Sequence, residues 1–174
     1  MNNRITLWRN DRIPYGTYYA YKNLGHIFPN STVMTSDESP ETFGGSNYSS
    51  AYIIIGPTLR PSEDELKAIL QHAISGNHVF ISAMSIGDNL LDTFRLKQQY
   101  NDMFEDSLTV NIYDPGSGDT ARFQYPGMKL DGYFSGMDSA VTNILGRNEH
   151  GQPNFVKFSY QGGGSVFIHY APLA

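Results

Sequence analysis

Two periods of apolar placement run along the chain, and the switch between them is clearest in residues 51–85, AYIIIGPTLRPSEDELKAILQHAISGNHVFISAMS. Tyr52, Ile53, Ile54 and Ile55 form a short continuous apolar run closed by Gly56-Pro57. Such a run predicts a strand buried on both faces of a parallel sheet. Ser62 and Glu65 then stand at capping-box spacing, so hydroxyl and carboxylate can each take up a backbone N–H that the first helical turn leaves over. Leu66, Ile69, Leu70, Ala73 and Ile74 recur with helical period and predict one apolar stripe against the sheet. Gly76 stands where a left-handed residue ends a helix. His78, Val79, Phe80, Ile81 and Ser82 predict the next strand, which makes a strand–helix–strand crossover.

Upstream, Ile5, Leu7 and Trp8 lead into a polar break at Asn10-Asp11-Arg12. Pro14 opens a predicted helix through Asn23, with Gly25 as its stop. Residues 32–35 predict a short strand, and 37–47 a loop with one helical turn. Downstream, 87–94 read as a short helix capped by Asp88. Residues 108–113 and 121–125 predict a hairpin across the turn 114–119, broken after it by Pro126-Gly127. Tyr133-Phe134 predict a further short strand, and 138–145 a loop or brief helix. Residues 155–160 and 165–170 form a second hairpin through Gln161-Gly162-Gly163-Gly164. No repeat or linker divides the chain. The expectation is one α/β domain over 1–174, with a mixed, mostly parallel sheet flanked by helices and antiparallel hairpins in the C-terminal half.

Length and composition fit that expectation: 174 residues suffice for a substantial core, and 40% hydrophobic against 17% charged residues is a globular balance. A net charge of −5, without a basic run, argues against nucleic acid or an anionic membrane surface as partner. The chain has no cysteine, which removes disulfides, thiolate metal sites and a cysteine nucleophile together. The polar start Met1-Asn2-Asn3-Arg4 lacks the apolar core of a signal peptide. No apolar run is long enough to span a bilayer. The end at Pro172-Leu173-Ala174 directly after a strand predicts a piece of a longer protein.

Several stretches together are similar to the bacterial family called domain of unknown function 4350. They are Arg12-Ile13-Pro14-Tyr15-Gly16-Thr17-Tyr18, Leu24, Phe28-Pro29, residues 76–83, Leu90-Leu91-Asp92-Thr93 and the closing residues 162–174. The resemblance implies an amidotransferase-like or flavodoxin-like architecture, related to class I glutamine amidotransferases but without their catalytic cysteine. It also implies an extracytoplasmic domain, on the periplasmic face of the inner membrane, tethered by a membrane helix and of the type found in Bacteroidetes-like proteins. The family has no established activity, so function has to be argued from residues.

The sharpest catalytic pattern is Ala83-Met84-Ser85-Ile86-Gly87, one methyl away from the glycine-x-serine-x-glycine nucleophile elbow. On that reading Ser85 is the nucleophile of a serine hydrolase, with His150 or His169 as base and Asp114, Asp119, Asp131 or Asp138 to orient it. The plainer reading makes Met84 and Ile86 core residues of an ordinary turn. His26, His72, His78, His150 and His169 are scattered singly and offer no metal spacing. The glycine-rich spots at 44–47, 116–118 and 162–164 lack both the Walker lysine and the dinucleotide pattern, and two of them join antiparallel strands. No cofactor is expected. Twelve tyrosines and ten phenylalanines are a heavy aromatic load, and Tyr15, Tyr18, Tyr19 and Tyr21 crowd the first helix. Some must reach a surface suited to a protein partner or a carbohydrate-like ligand.

Ligands of open parallel sheets sit beyond the carboxyl ends of the strands. That rule gathers Gly56, Pro57 and Thr58 beside Ser82, Met84 and Ser85, with Tyr15, Gly16 and Thr17 at the border. The leading expectation is thus a non-catalytic binding or scaffold domain with a ligand cleft there, serving a small ligand or a neighbouring membrane-protein subunit. A serine hydrolase, and a structural domain that only docks on such a subunit, are the alternatives.

Overall fold

A computed structural model describes residues 4–13, 15–42, 49–101 and 105–173. Pro14, the glycine-rich spot at 44–47 and the terminal residues 1–3 and 174 lie outside the described residues.

The central crossover forms as its pattern predicts. Strand β1 spans Ala51–Leu59, helix α2 Glu63–Ile74 and strand β2 His78–Ile86. The capping box closes: the Glu65 N–H donates to Ser62 Oγ at 3.2 Å, and the Ser62 N–H to Glu65 Oε2 at 2.7 Å. Gly76 takes φ +95° just past the helix, a conformation that a Cβ would oppose. Leu66, Ile69 and Ala73 are buried, while Ile74 at the last turn is exposed. Both strands outrun their predicted ends. β1 passes through Pro57 because it is an edge strand, where a missing N–H breaks no ladder. For the same reason none of its residues is fully buried, against the expectation of two covered faces.

Helix α1 runs Tyr18–Ile27, later at both ends than predicted. Gly25 is carried inside it, and the helix stops before Pro29, which disfavours helical backbone at Phe28. None of its residues is buried. Residues 32–35 form no strand, and Met34 stands 85% exposed. A 3-10 turn at Pro40–Thr42 supplies the single turn expected in the loop. Helix α3 covers Asp88–Thr93, with Gly87 rather than Asp88 as its N-cap.

The second half is antiparallel. Strands β3 (Lys97–Tyr100) and β6 (Gly132–Ser135) pair as a small separate sheet. Strands β4 (Glu105–Tyr113), β5 (Thr120–Lys129), β7 (Asn143–Asn148), β8 (Pro153–Ser159) and β9 (Ser165–His169) complete the main sheet. Its order is β1-β2-β9-β8-β7-β4-β5. Only β1–β2 and β2–β9 pair in parallel, and the other four neighbours are antiparallel. The sheet is therefore mixed and mostly antiparallel, which corrects the mostly parallel expectation. Parallel neighbours need a long crossover, whereas the connections of the second half are largely of hairpin length. Three further differences follow, two of them at sheet irregularities. β5 runs through Pro126-Gly127 because it too is an edge strand, with a bulge opposite. β7 occupies part of the predicted 138–145 loop, its alternation hidden by two register shifts near Gly146. The polar β3 carried no apolar signal at all.

The core lies on one face. Leu66, Ile69 and Ala73 of α2, with Leu90 and Leu91 of α3, pack on Val79, Ile81, Val156, Val166 and Ile168. Phe134 of the small sheet stacks on Tyr170 at 5.4 Å. The opposite face presents half-buried Phe80, Phe155, Phe167 and His169, and a second cluster covers only its end near Ile55 and Met84.

Candidate functional site

The N-terminal loop makes that second cluster. Leu7, Tyr15 and Leu173 are buried together against Ile55 and Met84, over the carboxyl ends of β1 and β2. Leu7 holds φ +51°, a left-handed backbone that is uncommon outside glycine and costs energy for a branched side chain. The turn sends Leu7 inward while its neighbour Trp8 stands 69% exposed. Four hydrogen bonds hold this geometry. The Leu7 N–H donates to the Tyr15 carbonyl at 2.9 Å, and the Trp8 carbonyl accepts from Asp11 and Thr17 N–H groups, each at 3.1 Å. Thr17 Oγ1 donates to the Leu7 carbonyl at 3.0 Å. Gly16 lies so close to Asp11 that a Cβ would collide with its carbonyl.

Beside this loop lies a cleft of about 370 Å³, lined by Arg4, Ile5, Thr6, Trp8, Asp11 and Pro57. A second cavity, of about 290 Å³, sits where β4, β5 and β7 meet, with Asn111 and Arg147 among its polar groups.

The predicted ligand residues thus divide. Tyr15 and Met84 do converge at the strand ends, but as packing. Gly16 and Thr17 shape the loop instead of facing the cleft. Pro57 alone of the predicted set lines it. Gly56 is paired beside Ala83, and Thr58 beside Ser85, within the β1–β2 ladder. Ser82 is buried, its Oγ 2.9 Å from His169 Nδ1. What sequence reasoning missed is Trp8, read only as an apolar lead-in. The adjoining polar triplet Asn10-Asp11-Arg12 was the available signal that this ring borders water.

The Ser85 constellation does not assemble. β2 continues through Ser85 to Ile86, so the serine sits in a regular ladder and the turn comes only at Gly87. Strand alternation aims Ser82 and Ser85 at opposite faces, and they lie about 10 Å apart along the strand. His169 is therefore the partner of Ser82. Its ring packs 5.4 Å from Phe155, and burial among such rings holds its pKa down to about 4. Three of the four candidate orienters are engaged elsewhere. Asp138 pairs with Arg95 at 3.3 Å, and Asp114 accepts from Gly116 and Ser117 within its own turn. The fully buried Asp131 accepts from Asn101 Nδ2 at 2.6 Å and Asn148 Nδ2 at 2.8 Å, with His150 Nε2 3.6 Å away. Gln152 Oε1 accepts from the same two amides, at 2.6 and 2.9 Å. That network ties the start of β6 to the β7–β8 turn.

Among the described residues no group of three or more His, Asp or Glu side chains could hold a metal ion. No described helix is long and apolar enough to cross a membrane.

No family model matches the chain, and no curated protein matches it in sequence. Among solved structures, the mmIFT52 N-terminal domain superposes with a TM-score of 0.61 at 13% identity, over 90% of this chain and 81% of that one. The exo-β-1,4-mannosidase Op5Man5 from Opitutaceae bacterium strain TAV5 gives 0.41 at 14% identity, over 70% of this chain. This chain spans only 20% of the mannosidase. A cytoplasmic protein from Salmonella typhimurium gives 0.43 at 14% identity, over 75% of this chain and 65% of that one. The first likeness speaks for the α/β fold alone, and the other two are too slight to carry an argument.

Proposed function

We propose that this chain is a non-catalytic binding domain whose recognition site is the cleft between its N-terminal loop and the carboxyl end of β1. Trp8 carries the reading. The one tryptophan of the chain stands mostly in water on the wall of a cleft of about 370 Å³. A large ring kept at such a place, on a backbone fixed by hydrogen bonds, is the anchor that recognition sites use. The resemblance to the domain of unknown function 4350 family supports the wider setting: an amidotransferase-like, extracytoplasmic domain of a membrane-anchored protein, its anchor in sequence outside this chain. Its partner would then be a small ligand or a neighbouring membrane-protein subunit.

Two measurements test the reading. Thermal unfolding of wild type and Trp8→Ala against a library of small polar compounds should yield a ligand that raises Tm with concentration in wild type only. Ligands that stabilise both proteins equally would move the site elsewhere. Intact-mass spectrometry after fluorophosphonate treatment should find no stoichiometric adduct, and an adduct lost in Ser85→Ala would restore the hydrolase reading.

A further inference from the structure

We infer that the cleft beside Trp8 takes a neutral, polyhydroxylated ring, a sugar unit of a saccharide; this rests on the reading of that cleft as the recognition site.

The argument begins with the balance of charge. Among the described residues the lining holds one cation, Arg4, one anion, Asp11, and one hydroxyl residue, Thr6. An anionic ligand would meet the Asp11 carboxylate and a chain of net charge −5. A cationic ligand would gain from the indole face but meet the Arg4 guanidinium. A neutral ligand rich in hydroxyls avoids both conflicts, because each hydroxyl donates to a carboxylate as readily as it accepts from a guanidinium.

The aromatic component points the same way. Proline-rich peptides dock in grooves lined with several aromatic rings, and among the described residues Trp8 is the one aromatic side chain lining this cleft. A single exposed indole instead offers a flat apolar surface of about one ring, matched by the C–H face of a pyranose. Ile5 and Pro57 add apolar area beside it.

The site is also built in advance. The left-handed Leu7 and the two N–H groups on the Trp8 carbonyl hold the backbone that presents the ring. A ligand therefore meets a backbone already ordered, which lowers the entropic cost of binding.

The test is titration of the full chain with pentasaccharides of glucose, galactose and N-acetylglucosamine, with choline, a glucuronate oligosaccharide and a proline-rich peptide in parallel arms. Trp8 is the sole tryptophan, so its emission reads the cleft without a label. At least one neutral saccharide should shift that emission and saturate. By calorimetry its affinity should fall roughly tenfold or more in Trp8→Ala, and several-fold in Asp11→Ala. Trp8→Phe should retain part of the affinity, which separates stacking from loss of fold. Silence of every neutral saccharide overturns the inference. If choline, the glucuronate chain or the peptide shifts the emission instead, the sugar assignment fails while the cleft remains the site. A saccharide bound equally well by wild type and Trp8→Ala overturns the cleft itself.

Discussion

Acid should weaken this fold through His169, and His169→Gln should remove that weakness. The imidazole accepts or donates one hydrogen bond with Ser82 Oγ at 2.9 Å and packs between Phe80 and Phe155. Burial holds its folded pKa at about 4, against about 6.5 in an unfolded chain. Near neutral pH both states carry the neutral ring, and the residue contributes nothing to the pH dependence. As pH falls below about 6.5, the unfolded chain takes up a proton that the folded chain refuses until about pH 4. Stability therefore falls with pH throughout that window. The gap between the two pKa values corresponds to about 3 kcal/mol at its acid end, and to about 2.5 kcal/mol near pH 4.5. Glutamine keeps a donor and an acceptor for Ser82 and does not titrate. Urea unfolding of both proteins near neutral pH and near pH 4.5 gives the measurement, with the other titrating groups common to both. Wild type should lose about 2.5 kcal/mol more than the variant on acidification. Losses that agree within about 0.5 kcal/mol would refute the reasoning and mean that the ring is protonated in place.

Asp131→Ala should cost about 3 kcal/mol in urea unfolding, since it leaves the buried Asn148 amide and that of Asn101 short of an acceptor; a loss below about 1 kcal/mol would mean that water replaces the carboxylate. Gly16→Ala should destabilise by about 1–3 kcal/mol and alter Trp8 emission, because the new Cβ meets the Asp11 carbonyl. Unchanged emission with unchanged stability would show that the loop yields without moving the ring.

What could be read from the sequence was whatever local chemistry decides. The Ser62–Glu65 box, the Gly76 stop and the hairpin turns at 114–119 and 161–164 all depend on neighbours in the chain, and all form. What stayed hidden depends on partners far away. Pro57 and Pro126 read as breaks because nothing local says that β1 and β5 are edges. β7 escaped because its bulges near Gly146 disturb the period of two that marks a strand. The same limit acted at the site. Small residues around Ser85 imitate a nucleophile elbow, yet the parallel ladder with β1 keeps that backbone extended through Ile86. Trp8 became visible as an anchor only once the inward turn at Leu7 was known.

The strand order also bears on synthesis. β9, last of the described strands to leave the ribosome, lies between β2 and β8. Until it emerges, the β1–β2 crossover and the β8–β7–β4–β5 ribbon are two half-sheets with no strand joining them. Each then shows unpaired backbone along the edge that β9 will occupy, a template for pairing with other nascent chains. Closure waits for contacts of long sequence separation, which form slowly. A stop codon just before Ser165 would leave those halves permanently unjoined, and would also take Leu173 from the cluster that packs Leu7 and Tyr15 beside the Trp8 cleft.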